Sequence, residues 1–301
     1  MMGSVLGVTL GLALAGATVP QAEDVQRWGE GVFSSASYDS HLAIDPDTPE
    51  VLFVRSTPDL EDWKILVVNC TPEGWSDPRP WALAADGFDA DPWFTADGRY
   101  LYFISTRGHP GGTASTEADI WRAERRADSG WSPPERLPEP VNSSAKEWFP
   151  RSGPDGWLYF GSGRPGGAGK TDIWRARTDP AGNWVVENVQ GLNTNAHEYE
   201  AAPSPDGRWI VVAATGGLAI APAEDGGWGT PQLLGARVNG EGLEVGMTFS
   251  PSGHSLMFSR VVGTESGELF LWRLDAGTAE WPPACAATSP DARAPSAPTP
   301  S

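Results

Sequence analysis

The chain has 301 residues, room for one large β domain or two average ones, with 36 glycines, 28 prolines and 15 tryptophans. That composition points to many turns and short aromatic-rich strands, and away from long helices. A formal net charge of −18 argues against a nucleic-acid partner, because phosphate neutralisation needs a surplus of Lys and Arg; solubility outside the cytoplasm accounts for most of it.

At the start of the chain, "SVLGVTLGLALAGA" (4–17) is an apolar run closing on the small-x-small pattern Ala15-Gly16-Ala17. Residues 1–17 read as a secretory signal peptide, too short for a comfortable membrane span, although no Lys or Arg precedes the run. The expected location is periplasmic or secreted, with no integral span once the signal is removed.

Downstream, four stretches repeat: "DADPWFTADGRYLYFISTRG" (89–108), "EWFPRSGPDGWLYFGSGRPG" (147–166), "EYEAAPSPDGRWIVVAATGG" (198–217) and "EVGMTFSPSGHSLMFSRVVG" (244–263). Each sets an acidic residue nine positions before a turn glycine, and a strongly apolar strand follows the turn. A looser fifth copy starts at Asp39. A tryptophan closing a second turn recurs at Trp75, Trp131, Trp184, Trp228 and Trp281, spaced by 56, 53, 44 and 53 residues. Each unit of about 50 residues reads as strand, P-D-G turn, strand, Gly-rich loop, strand, Trp turn, strand, which is a β-propeller blade. Asp bonding its own backbone and Gly at positive φ suit the P-D-G hairpin.

The blades fall at about 38–86, 88–142, 146–195, 197–240 and 243–282: five, or six if a divergent one is hidden. The last lacks a good fourth strand. "RWGEGVFSSASYD" (27–39) aligns with "RLPEPVNSSAKEW" (136–148), so residues 27–36 are expected to supply the outermost strand of the final blade and close the ring. The fold class is therefore all-β, a single propeller over 24–282 with four-stranded antiparallel blades. Residues 283–301, rich in Pro, Ala and Ser, are expected to be disordered.

The stretch "GSGRPGGAGKTDIW" (161–174) ends like a phosphate-binding loop, but it joins two strands where that motif needs a following helix, and Arg164 replaces its first glycine. Segments such as "SPDGRWIVV", "GPDGWLYFGSGRPGGAGKTDIW" and "NSSAKEWFPRSGPDG" resemble the WD40-like, TolB-type propeller repeats of bacterial envelope proteins over residues 27–282. The resemblance implies a propeller, export and a protein-binding role. TolB-type proteins carry an α/β domain before six blades, and neither that domain nor a clear sixth blade is legible here.

Strand order places the acidic starts and Gly-rich loops on one face, and the P-D-G and Trp turns on the other. The first face gathers Asp39, Asp89, Glu147, Glu198 and Glu244 near the channel mouth, with Arg55, Arg107, Arg164 and Arg260 after the second strands. Two readings stand: each carboxylate holds its blade by capping N–H groups or pairing with Arg, or the ring gathers a cation or a basic partner segment. Loops 105–118 and 161–171 are candidate contact surfaces. Trp75, Trp131, Trp184 and Trp228, with Trp121 and Trp174, are expected between blades.

Five-bladed propellers also house glycosidases, and the carboxylates that break the repeat are Asp91 and Glu200. No nucleophile elbow or zinc spacing occurs, and His41, His109, His197 and His254 read as surface residues. Asp45-x-Asp47 and Asp89-x-Asp91 are weak calcium snippets, so no cofactor is assigned. Cys70 and Cys285, in ring-neighbouring blades, are placed to form or not form a bridge. The functional expectation is a monomeric scaffold binding an envelope protein or small ligand, with a carbohydrate-active hydrolase as alternative.

Overall fold

A computed structural model describes residues 24–108, 117–262, 266–274, 281–282 and 285. The expected signal peptide, residues 109–116 of the first long loop and all of the tail except Cys285 lie outside the described residues. Strand β1 is Asp24–Trp28. Blade one contains β2 (Tyr38–Ile44), β3 (Glu50–Ser56) and β4 (Lys64–Thr71), with the two-residue β5 (Gly74–Trp75) and β6 (Arg79–Pro80) both on β4. Blade two is β7 (Asp89–Phe94), β8 (Tyr100–Ser105), β9 (Asp119–Glu124) and β10 (Glu135–Arg136). Blade three is β11 (Glu147–Ser152), β12 (Leu158–Ser162), β13 (Asp172–Thr178) and β14 (Trp184–Asn188). Blade four is β15 (Glu198–Pro203), β16 (Trp209–Ala214) and β17 (Gly217–Glu224), with β18 (Gly227–Trp228) and β19 (Gln232–Leu233) on β17. Blade five is β20 (Glu244–Phe249), β21 (Ser255–Val262) and β22 (Ser266–Arg273).

The fourth strand of blade five is β1. It runs antiparallel to β22, from Asp24 opposite Arg273 to Trp28 opposite Leu269. The closing strand thus sits slightly N-terminal of residues 27–36; the chain turns after Trp28, and Glu30 bridges Ser34. Contacts between β2 and β20 complete a ring in which β2, β7, β11, β15 and β20 are the innermost strands.

Alternation along each strand sends side chains to both neighbouring blades. On β3, Val51 and Phe53 pack with Met257, Leu269 and Leu271 of blade five, whereas Leu52 and Val54 join a cluster with Leu101 and Phe103 of blade two. On β16, Ile210 and Val212 pack on Tyr159 and Ile173 of blade three, and Val211 faces Leu256 and Phe258 of blade five. The core is therefore a set of layers between blades. Each fully buried Leu, Ile or Phe in it contributes roughly 1.5–3 kcal/mol. Cys70, at the end of β4, is disulfide-bonded to Cys285.

Candidate functional site

The five acidic starts are buried, at 0–3% exposure. Four are clamped by the arginine of their own blade: Arg55 to Asp39 at 2.6 Å, Arg107 to Asp89 at 2.9 Å, Arg164 to Glu147 at 2.9 Å and Arg260 to Glu244 at 3.1 Å. Each arginine also donates to a carbonyl of the segment entering its blade, at Val32, Leu83, Val141 and Val238 respectively. The residue four positions before the acid completes the clamp. Ser35 and Ser143 donate their hydroxyls to Asp39 and Glu147, while Ala85 and Gly240 donate backbone N–H to Asp89 and Glu244. Blade four has no arginine there, because β16 turns into β17 through Thr215-Gly216; Thr194 donates both its N–H and its hydroxyl to Glu198. These are intrablade ties, and they leave the carboxylates sealed.

In four blades the innermost strand carries a bulge two residues after the acidic start, at His41, Asp91, Phe149 and Gly246; in blade four it falls one residue earlier, at Tyr199, and Glu200 follows it opposite Ala213. His41, Asp91 and Phe149 take φ of 50–54°, a left-handed backbone that L-residues rarely adopt. Gly246 has φ +70°, and a Cβ there would lie 2.8 Å from the His41 nitrogen, so only glycine fits. The bulges aim these residues across the axis. His41 of blade one stacks on Phe149 of blade three at 5.0 Å, with its Nε2 3.5 Å from Asp91 Oδ1 of blade two. Arg151 of blade three pairs with Glu200 of blade four at 2.9 Å, and Glu200 accepts the Gly246 N–H of blade five at 2.7 Å.

Burial sets the protonation of this cluster. It holds the His41 imidazole well below its ordinary range, helped by Arg151, so His41 is neutral. It pushes Asp91 up to about 8, against the pull of Arg151 and with help from Glu200. Glu200 and the Tyr38 phenol are also raised, again chiefly by burial. Among the described residues, neither the Tyr38 hydroxyl nor His41 Nε2 has a hydrogen-bond partner.

Beyond this layer, at the P-D-G end of the axis, lies a cavity of about 560 Å³ to which all five blades contribute. Its rim repeats once per blade: Pro46, Ala96, Pro154, Pro205 and Pro251, the residues leading the P-D-G turns. Trp93, Phe94, Tyr100, Phe249 and Trp281 give it an aromatic wall. Trp93 separates the cavity from the buried cluster, with Arg151 lying 5.0 Å over its ring and its indole N–H donated to Ser152. The two Asp-x-Asp snippets are engaged otherwise: Arg125 of blade two lies 2.7 Å from Asp45 and 3.5 Å from Asp47, and Asp91 faces His41. Among the described residues no three His, Cys, Asp or Glu side chains are grouped to hold a metal ion.

No protein-family model and no curated protein matches the sequence. Solved structures do match. The putative TolB from Agrobacterium tumefaciens superposes with a TM-score of 0.50 and 16% identity, over 75% of this chain and 71% of that one. The fold is that of a TolB-type β-propeller. TolB from Acinetobacter baumannii aligns at TM-score 0.45 and 16% identity over 79% of this chain, which spans 54% of that protein's length. A gluconolactonase from Xanthomonas campestris aligns at 0.48 and 12% identity, over 86% and 98% of the two chains.

Within this TolB-type propeller, the structure brings Asp91 and Glu200 into one axial cluster and separates the other predicted carboxylates into five clamps. His41, expected at the surface, is fully buried. The bulge that rotates it inward has no signature in a single sequence. Arg151 and the proline rim were also missed by motif reasoning. The rim was nonetheless readable, because the residue leading the first hairpin turn is proline in four blades, before Asp in three and before Ser252 in the last. The loop at 161–171 joins β12 to β13, and Gly169 donates its N–H to the Asp172 carboxylate. Trp228 lies between blades, its indole N–H donated to the Tyr159 hydroxyl.

Proposed function

We propose that this TolB-type propeller is an exported, monomeric binding module of the cell envelope, periplasmic or secreted, that takes an apolar segment of a protein partner into its axial cavity. The observation that carries the reading is the cavity itself. It is open to solvent, built by all five blades and walled by aromatic and proline side chains, the composition that accepts apolar and proline-containing segments. Among the described residues no helix is long and apolar enough to cross a membrane. TolB proteins among the structural neighbours, and a periplasmic gluconolactonase from Pseudomonas aeruginosa, accord with an envelope location.

A second reading, hydrolysis, rests on Asp91 and Glu200 meeting at the axis. Their burial, at 1% and 0% exposure, and the engagement of Glu200 by Arg151 weigh against it. One experiment addresses both. The tagged protein and its Pro154→Arg/Pro205→Arg variant, altered only at exposed rim positions, are used to capture envelope proteins, quantified by mass spectrometry. The binding reading expects a partner retained by the parent and reduced at least about tenfold by the variant, with unchanged circular dichroism. Equal retention contradicts it. Turnover of a lactone or glycoside that disappears in Glu200→Ala, in a folded protein, favours hydrolysis instead.

A further inference from the structure

The opposite mouth of the axis carries a feature unused by this reading. Five aromatic rings follow one another in a closed circuit. Centroid distances are 6.3 Å from His41 to Trp63, 5.9 Å from Trp63 to Phe88 and 6.0 Å from Phe88 to Trp148. The circuit closes at 6.1 Å from Trp148 to Phe149 and 5.0 Å from Phe149 back to His41. Trp63, Phe88, Trp148 and Phe149 are half-buried, so the circuit meets solvent. A regular pentagon with such edges has its centre about 5 Å from each ring, within the roughly 6 Å reach of a cation–π contact.

Beneath the rings lies a carboxylate held by two members of the circuit. Asp91 Oδ1 is 3.5 Å from His41 Nε2, and Asp91 Oδ2 accepts the Phe149 N–H at 3.1 Å. The groups acting on Asp91 are His41 on β2, Arg151 on β11 and Glu200 on β15; Tyr38 on β2 is acted on by Asp91 and also by Glu244 on β20, and Asp89 lies on the strand of Asp91. Asp89 and Glu244 are already paired with Arg107 and Arg260, and Glu200 with Arg151. With a neutral His41, and with Arg151 committed to Glu200, Asp91 has no cationic partner of its own, so its charge is uncompensated whenever it ionises. The Tyr38 hydroxyl and His41 Nε2 are buried there without hydrogen-bond partners.

We propose that this mouth is a binding site for an alkylammonium cation, with the ring circuit as its cage and Asp91 as its counter-ion. The protein's overall charge of −18 raises the local concentration of such cations. An ammonium is already accommodated at the edge of the circuit, where Lys146 Nζ lies 5.8 Å from the Trp148 ring, held by Glu117 at 3.6 Å. Binding exchanges a proton for the cation. In the empty site, burial keeps Asp91 protonated up to about pH 8; the cation displaces that proton and takes over its charge balance.

Calorimetric titration of the protein with tetramethylammonium chloride, at constant ionic strength, tests this. Association is expected to tighten about tenfold per pH unit on rising towards pH 8 and to level off above it, with close to one proton released per cation below pH 8. Proton release is read from two buffers of different ionisation heat. Trp63→Ala should weaken binding about tenfold, and Asp91→Asn should weaken it and abolish the pH dependence. The rim variant Pro154→Arg/Pro205→Arg, on the other face, should leave the titration unchanged, so the two sites stand or fall separately. No saturable binding above pH 8, a pH-independent affinity in the parent, or indifference to Trp63→Ala overturns the proposal. Should Asp91→Asn not fold, the proton count on the parent and the Trp63→Ala titration carry the test.

Discussion

Arg164 and Arg151 sit in the same blade and do different work. Arg164 belongs to a unit-by-unit clamp, and its loss leaves Glu147 buried beside only Ser143 and Ser162. Arg164→Ala is therefore expected to cost roughly 3–5 kcal/mol in urea unfolding, and replacing Arg164 and Glu147 together by Leu to recover most of that. Arg151 has no counterpart in the other blades; it neutralises an axial carboxylate. The Asp91 titration gives a second prediction at this scale. A carboxyl raised from 3.8 to about 8 contributes stability that is complete below about pH 4 and is lost as pH rises to 8. Asp91→Asn, which cannot ionise, should gain on the parent by on the order of 5 kcal/mol across that window and hold the gain above it. Thermal melts from about pH 4 to 9 read the difference directly; a constant difference contradicts it. None of this was visible in "DSHLAI" or "DADPWF". An alternating pattern places His41 and Asp91 by parity alone, whereas the structure places them by a left-handed bulge.

The repeat made the element order legible because every blade reuses the same acidic start, turn glycine and apolar second strand. Closure was also legible, from the likeness of residues 27–39 to 136–148. The displaced strand has a simple origin. In blade two only Glu135–Arg136 pairs as β10, and residues 137–146 are the connection to blade three. The aligned N-terminal stretch is likewise mostly connection, so its strand lies ahead of it, at Asp24–Trp28. This strand covers the edge of β22. Gln26→Pro, opposite Leu271, removes a backbone donor from the β1–β22 ladder and should cost about 1–3 kcal/mol. The uncovered edge of β22 should then show as concentration-dependent association in size-exclusion chromatography. A variant that melts like the parent and stays monomeric would place the closing strand elsewhere.

At the scale of the molecule, what holds the ring and what lines its axis separate. The clamps and the inter-blade layers recur around the ring and hold it together, while the recurring proline rim lines the axial cavity. His41, Asp91, Arg151 and Glu200 occur once each, and they meet where the five blades converge. Comparing repeats highlights what recurs and averages out what does not, which is why the blades were readable and the axial cluster, apart from Asp91 and Glu200, was not. The Cys70–Cys285 bond closes a loop of 215 residues, so Cys285→Ser should lower stability by roughly 2–5 kcal/mol, seen as a lower urea midpoint.

The most direct measurement compares a clamp variant with a cavity variant in one capture experiment, run where both are folded. Arg164→Ala should retain the parent's envelope partner while unfolding at lower urea, and Pro154→Arg/Pro205→Arg should lose the partner while unfolding with the parent. The reverse, a partner lost with the clamp and kept with the blocked cavity, would contradict the division of labour between ring and axis.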